Sequence, residues 1–276
     1  MILDQTYELV KALYKDRFQD LFISDVRVGV YLTAVLLSDG SSGTASTNID
    51  SHSNCYKNKR DFGNFTPAKI KGQKVIDLFE SNSELKISNT LKVAVLNAIS
   101  AKLISSDKYK IIENIDPIEL IDLTPVKTIT IVGAFQSYIK RIAATNNKLY
   151  VLELDEEALN YEQKKFYVPA EDFIKVVPQS DIVIITGLTL VNNTLDNLLA
   201  AVSPNAEVIV TGPSSSLVPD ILFKHNVKIL GSTRITDPEL LFQVVGEAGT
   251  GFHLFKYCAE KFSIINEQDG LFIVEI

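Results

Sequence analysis

Short runs of β-branched residues alternate with helical stretches from Lys127 onward, and this pattern restricts the fold more than any other feature of the sequence. Each run has the length of a strand buried on both faces, and each intervening stretch can hold a crossover helix. The runs are residues 128–132, 149–152, 181–185, 208–210 and 227–230. The alternation predicts an α/β fold whose strands form a parallel, Rossmann-like sheet.

The segment before these runs has a different character. Apolar residues recur every three or four positions between Leu3 and Phe18, which predicts an amphipathic helix. Residues 26–37 are rich in β-branched side chains and end in a glycine-rich turn, so they predict a strand. Residues 44–48 predict the strand that returns from this turn.

Two further helices are expected in the N-terminal half, after a polar loop at residues 50–66. They cover about residues 73–80 and 88–104. The second is expected to pack through Leu91, Val95, Ala98, Ile99 and Ala101. Because the pattern changes near Asp116, we predict a smaller α+β domain over residues 1–115 and the Rossmann-like domain over residues 116–276.

The charge balance argues against a nucleic-acid partner. The chain has 27 Lys and Arg residues against 34 Asp and Glu residues, a formal net charge of -7. Nucleic-acid binding needs clustered cations that neutralise phosphates, so an acidic chain is a poor candidate.

The sequence also predicts a soluble, cytoplasmic protein. Asp4 and Glu8 interrupt the apolar N-terminus, which is unlike a secretory signal. No apolar run approaches the roughly 20 residues that span a bilayer, so no membrane partner is expected. Cys55 and Cys258 are far apart in sequence and do not form a disulfide framework.

Glycine and small polar residues follow three of the predicted strands. Ligands of an open parallel sheet bind outside the carboxyl ends of its strands, where glycine allows close approach and free N–H groups favour anions. The residues concerned are Gly133 in the first loop, Thr186, Gly187, Thr189 and Asn192 in the second, and Gly212, Pro213 and Ser214 in the third. The alternative is that these residues only form turns and helix caps, as Asn193 or Ser214 could.

A nucleotide-like cofactor is the second possibility at this edge. Gly133 stands alone, without the other glycines of a dinucleotide-binding loop, and Phe135 occupies a place where a small residue is expected. Glu153, about 20 residues further on, has the position of a ribose-binding carboxylate. Such a site would take a dinucleotide or S-adenosylmethionine, unless Glu153 is simply an exposed strand end.

Residues that could bind a metal ion directly are few. His52 and Cys55 lie three positions apart in a polar segment, and His253 and Cys258 lie near the C-terminus. They would form a site only if distant loops converged, so no metal ligand is predicted. His225 fits a helix end, and Cys258 fits a small buried apolar residue.

Several segments resemble one known family, described as "putative heavy-metal chelation". The stretch from Asp181 to Leu195 resembles its central motif, and residues 212–215 resemble the motif that follows. Val132-Gly133 with Phe135 is similar to the start of its C-terminal domain, and residues 94–98 are similar to a helix of its N-terminal domain. The sequence departs from the family at Asn193, where glycine is more usual, and at the plain turn that precedes Thr44.

The resemblance implies an enolase-N-terminal-like domain packed on the Rossmann-like domain, with a ligand site between them. By position it adds Gly43, Thr44 and Asn97 to the strand-end residues. Asn97 lies among apolar residues, so its amide is expected either to form a structural hydrogen bond or to point into the site.

Two functions are compatible with these residues. In the first, the protein binds a metal chelate or a similar small anionic molecule, because neutral side chains and backbone amides suit carboxylates or phosphates. In the second, the same cleft is catalytic and holds the nucleotide-like cofactor beside Glu153. No general base is evident near the strand-end loops, which favours the first function. Whether the protein is an enzyme stays open, and so does whether it forms a homo-oligomer.

Overall fold

The computed structural model describes residues 1–48, 63–80 and 87–267 of the chain. The helices in this part are α1 (Ile2–Tyr14), α2 (Val75–Glu80), α3 (Ser88–Leu103), α4 (Gln136–Ala143), α5 (Phe173–Val176), α6 (Leu188–Val191), α7 (Leu195–Ala201), α8 (Asp220–Lys224), α9 (Pro238–Gly246) and α10 (Gly251–Tyr257). The strands are β1 (Ile23–Val28), β2 (Leu32–Leu37), β3 (Ser42–Ser46), β4 (Lys110–Glu113), β5 (Thr128–Val132), β6 (Lys148–Glu153), β7 (Tyr167–Pro169), β8 (Ile182–Thr186), β9 (Glu207–Thr211), β10 (Val227–Ile235) and β11 (Ala259–Ile265).

An eight-stranded sheet forms the larger part of the molecule, in the order β4-β11-β10-β9-β8-β5-β6-β7. The strands from β10 to β7 are parallel, and β11 and β4 add an antiparallel edge. Within the parallel part, the chain moves outward from β5 to β7, then returns and moves the other way from β8 to β10. This is the strand order of dinucleotide-binding doubly wound folds, and it places the topological switch point between β5 and β8. The predicted fold class is confirmed.

The central strands are buried because helices or other elements cover both of their faces. Alternate residues of β8 show this directly, since Ile182 and Ile184 belong to one apolar cluster and Val183 and Ile185 to another. Ile139 of α4 lies in the first cluster, and α1 and α3 contribute to the second. The N-terminal elements therefore share a continuous apolar core with one face of the large sheet.

The small sheet is antiparallel, in the order β1-β2-β3. The predicted single strand over residues 26–37 is wrong, because Gly29 N–H donates to Leu32 O and turns the chain into a hairpin there. The return strand is β3, and α3 packs along β3 and β2 while α9 packs on β1 and β2. Helix α3 is buried on nearly every side between Thr90 and Ser100, whereas Ala101, expected in its packing face, is exposed.

The two parts of the chain are joined by hydrogen bonds as well as by apolar contacts. Arg27 of β1 donates to Phe242 O of α9, and Ser100 Oγ of α3 accepts from Val218 N. Strand β4, which precedes the predicted boundary near residue 115, pairs with β11 in the large sheet. The division at that residue stays a prediction. Among the described helices, none is both long and apolar enough to cross a membrane.

Candidate functional site

The three predicted loops lie side by side at the carboxyl edge of the large sheet. They follow β5, β8 and β9, which are neighbours in the sheet. A Cβ atom placed on Gly133 would lie 3.1 Å from Thr186 Cγ2, and one placed on Gly212 would lie 3.7 Å from Gly187 N. Gly133 and Gly212 have φ angles of +105° and +119°, which favour glycine. These two glycines, with Thr186 and Pro213, are partly exposed, and we call these four residues the strand-end site.

Gly187 and Thr189 belong to the loop that supports this site. Gly187 N–H donates to Thr211 O at 2.8 Å, so it is not one of the free amides expected from the sequence. Thr189 Oγ1 donates to Thr186 O at 2.7 Å and is buried. Both residues are committed to local hydrogen bonds that hold the end of β8 in place.

The chain beyond α6 turns through Asn192 and Asn193. Asn192 Oδ1 accepts from both the N–H and the hydroxyl of Thr194, an Asx turn that leads into α7. Asn193 has a φ angle of 59°, in the left-handed region that glycine and asparagine adopt most readily. Asparagine can therefore stand where the resembling family more often has glycine without a change in the backbone.

The third loop, residues 212–216, contains three buried serines, and we call it the serine loop. Ser214 Oγ accepts from Ser46 N at 2.8 Å, which ties the loop to the end of β3. Ser215 Oγ lies 2.7 Å from Gly212 O and 2.6 Å from Gly231 O. Ser216 Oγ accepts from the N–H of Thr233 in β10. The serine loop therefore joins β9, β10 and β3 through side-chain hydrogen bonds.

The N-terminal half contributes Gly43, Thr44 and Asn97, all of them buried. Gly43 allows α3 to touch β3, since a Cβ there would lie 2.3 Å from Ala94 O. Thr44 Oγ1 donates to Thr33 O within the small sheet.

Asn97 forms the structural hydrogen bond that was one of its two expected roles. Its Nδ2 donates to Thr44 O at 2.8 Å and to Pro213 O at 3.3 Å, so it bridges β3 and the serine loop. Its Oδ1 is buried and has no hydrogen-bond partner among the described residues. We call the contact of β3 and α3 with the serine loop the seam.

Glu153 ends β6, the strand beside β5, as its predicted role requires. Its Oε1 accepts from Leu154 N at 2.7 Å, and its side chain is partly exposed. A carboxylate is thus present one strand away from Gly133, in the position of a ribose ligand.

The described residues contain no group of three or more His, Cys, Asp or Glu side chains that could hold a metal ion. His253 Nδ1 lies 3.1 Å from the hydroxyl and from the N–H of Thr250 and serves in the cap of α10. The Cys258 thiol donates to Leu254 O, and burial raises its pKa to about 11, with a smaller contribution from Asp237. A protonated, buried thiol fits the predicted packing role. His52 and Cys55 lie outside the described residues.

The sequence did not single out the partners that hold these loops. Ser46 bonds to the serine loop in the seam, and Ser215, Ser216 and Thr233 take part in the hydrogen bonds that join this loop to β10. The one available signal was the run of three serines after β9, which exceeds what a single helix cap needs.

Two family models and one relative match this chain. A family model described as "Putative heavy-metal chelation" (DUF364) matches residues 116–264, and a second model with the same description (DUF4213) matches residues 11–100. An uncharacterized protein of Methanocaldococcus jannaschii is 23% identical over 269 residues, which cover 96% of this chain and 98% of that protein.

Two crystal structures share the fold over nearly the whole chain. One is a DUF364-family protein with unknown function from Pyrococcus horikoshii, with a TM-score of 0.75, 23% identity, and coverage of 96% of this chain and 100% of the other. The second, from Desulfitobacterium hafniense, has a TM-score of 0.71, 19% identity, and coverage of 95% and 100%.

Proposed function

The chain belongs to the family described as "Putative heavy-metal chelation", and from this premise we propose that it binds a metal chelate or a similar small molecule at the strand-end site. In this proposal the ligand lies between the carboxyl edge of the large sheet and the N-terminal elements. The metal ion is cargo, held by the organic part of the ligand.

The convergence of Gly133, Thr186 and Gly212 at the switch point carries this proposal. Doubly wound folds bind their ligands at this place, because the loops on its two sides diverge and leave a crevice. The two glycines let a ligand approach the backbone, and Thr186 adds a hydroxyl. Helix α4 begins just beyond Gly133 and has no acidic residue in its first turn, which suits an anionic group.

The donor set supports a chelate over a bare metal ion. Soft metals prefer thiolate and imidazole ligands, and hard cations prefer several carboxylates. The strand-end site offers hydroxyl and backbone groups instead, so its residues do not fit a bare ion. They fit the outer surface of a complex whose organic part supplies the metal's ligands.

Bare divalent ions are therefore expected to bind weakly. Calorimetric titration of the metal-free protein with zinc, nickel and copper ions measures this directly. A tight one-to-one site that disappears in His52→Ala or Cys55→Ala would contradict the expectation, because it would place a protein-built metal site outside the described residues.

Native mass spectrometry of freshly purified protein, combined with metal analysis, tests the proposed function. We expect an added mass that contains metal and is lost on denaturation. Thr186→Val, which removes the hydroxyl and keeps the side chain's shape, should lower its occupancy. Thr130→Val is the matched control, because Thr130 is paired with Ser180 in the interior of the sheet. An added mass that persists unchanged in Thr186→Val would argue against this location.

A nucleotide-like cofactor is the second candidate ligand. The strand order and the place of Glu153 at the end of β6 favour it. An added mass with the ultraviolet absorbance of a nucleotide, lost in Glu153→Ala, would select this candidate and an enzymatic role.

Two further proposals concern the whole chain. We place the protein in the cytoplasm, because two cysteines, far apart in a chain of 276 residues, make no disulfide framework of the kind that secreted proteins carry. We also propose residues 1–115 and 116–276 as its two domains, with an enolase-N-terminal-like fold in the first. Self-association is open to measurement by light scattering.

A further inference from the structure

We infer that the bound molecule presents a hydrogen-bond donor, an N–H or O–H group, to Asn97 Oδ1 in the seam. The inference rests on the proposed function and deepens it. It assigns a hydrogen-bond donor to one part of the ligand. It also makes Asn97 a specificity-determining residue in addition to its structural role.

An unpartnered polar atom, Asn97 Oδ1, belongs to a side chain that contacts the serine loop. Among the described residues, four buried side-chain atoms lack a hydrogen-bond partner: Asn97 Oδ1, Ser232 Oγ, Thr233 Oγ1 and Asn266 Oδ1. Asn97 bonds to the serine loop at Pro213 O, and the N–H of Thr233 bonds to Ser216 Oγ. Ser232 lies between Thr233 and Gly231, whose carbonyl oxygen accepts from Ser215. Ser232 and Thr233 are successive residues of β10, so their side chains point to opposite faces of the sheet and do not form one group with Asn97. Native proteins pair nearly all buried polar groups, so the unpaired Asn97 Oδ1 indicates a missing polar partner at the seam.

The orientation of the Asn97 amide determines what this partner can be. Its two neighbours, Thr44 O and Pro213 O, are both carbonyl oxygens, which only accept hydrogen bonds. The Nδ2 group must therefore face them, and the free atom is the Oδ1 acceptor. A flipped amide would place oxygen against two oxygens.

An acceptor cannot pair with a carboxylate or phosphate oxygen. The sequence favoured carboxylates and phosphates as ligand groups, and this expectation does not extend to the seam. The group that meets Asn97 must be an amine, amide or hydroxyl.

Burial gives this contact discriminating power. Asn97 is 3% exposed, so a ligand without a donor leaves Oδ1 unpaired and shielded from water. Sites that pair a ligand's N–H or O–H group reject analogues that lack it far more strongly than sites that only recognise shape. We expect a preference of about tenfold or more for a donor-bearing ligand over an otherwise matched one.

Two nickel chelates provide the probe. Ethylenediaminetetraacetate and ethylenediaminedisuccinate are structural isomers that hold nickel through the same kinds of atoms with the same charge. The nitrogens of the first carry no hydrogen, whereas those of the second keep an N–H when they bind the metal. Calorimetric titration of the full chain with each complex gives two dissociation constants, and their ratio is the readout.

The wild-type protein should bind the disuccinate complex about tenfold more tightly, and Asn97→Ala should bring the ratio close to one. Because both constants come from the same protein, a loss of stability in the variant does not move their ratio. Ser100→Ala is the matched control, since Ser100 is a buried polar residue one turn further along α3 that bonds to Val218 N. It should lower the melting temperature and leave the ratio unchanged.

The possible failures are distinguishable. Equal binding of both complexes by the wild-type protein would keep the proposed function and overturn the donor assignment, with an internal water then the partner of Oδ1. A preference that persists in Asn97→Ala would move the donor contact to another residue. If neither complex binds, the chelate-binding function itself is contradicted, and this inference falls with it. If Asn97→Ala does not fold, the wild-type ratio still decides.

Discussion

Gly43→Ala is expected to destabilise the protein severely. The added Cβ would lie 2.3 Å from Ala94 O and 2.4 Å from Ala98 N, both backbone atoms of α3. Backbone atoms cannot turn aside as a side chain can, so α3 would have to move away from β3. Helix α3 is buried along most of its length, and its displacement would open the core on which the large sheet also depends. We expect a loss of about 4–5 kcal/mol, among the largest effects of single substitutions and about a third or more of the stability of a typical domain.

Urea or thermal unfolding followed by circular dichroism measures this effect. Gly251→Ala is the matched control, because a Cβ there would meet only Pro213 Cγ at 3.8 Å and the backbone is not in a strained region. Its stability should be unchanged or slightly higher, by about 0.4–1 kcal/mol. A folded Gly43→Ala protein with nearly normal stability and weakened ligand binding would contradict this prediction. It would return Gly43 to the ligand-contact role that the family resemblance implied.

The parallel strands could be predicted from the sequence because burial on both faces leaves a plain signal. Residues 128–132 and 182–186 are almost continuous β-branched runs, and both strands appear where expected. The hairpin at Gly29 could not be read in this way, because Val30 and Tyr31 continue the apolar pattern through an exposed turn. Strands β4 and β7 are short, at four and three residues, and carry too little pattern to be seen.

The position of the candidate site could also be predicted, whereas the use of its residues could not. Strand-end loops are recognisable because glycine and hydroxyl residues follow buried runs. The sequence does not show which hydroxyls are already used by the backbone. Ser214 and Thr189 looked available and are each committed to an internal hydrogen bond. At Asn97 part of the side chain is left without a partner. Only its neighbours in the structure reveal that Nδ2 is bonded and that Oδ1 is free.

Gly187→Ala is expected to destabilise the protein by about 1–3 kcal/mol and to disturb the serine loop. From the sequence, Gly187 was expected to let a ligand approach the backbone. The structure shows a second reason for glycine at this position. The φ angle at Gly187 is -59°, which any residue adopts, so glycine is not needed there for its backbone freedom. It is needed for space, because a Cβ would lie 2.8 Å from Ser215 N and 3.1 Å from Ser214 C.

This steric origin separates Gly187 from Gly212, which faces the strand-end site. A Cβ on Gly212 meets nothing closer than 3.7 Å, and alanine there is disfavoured only by its φ angle of +119°. The Cβ of Gly187→Ala would displace Ser215, whose hydroxyl donates to Gly231 O. Because Ser214 is the neighbouring residue, the hydrogen bond from Ser46 N to Ser214 Oγ would also be disturbed. Hydrogen exchange of the Ser46 and Thr233 amides, which donate to Ser214 and Ser216, should therefore accelerate in Gly187→Ala. Normal protection of both amides, together with lost ligand binding, would show that Gly187 contacts the ligand after all.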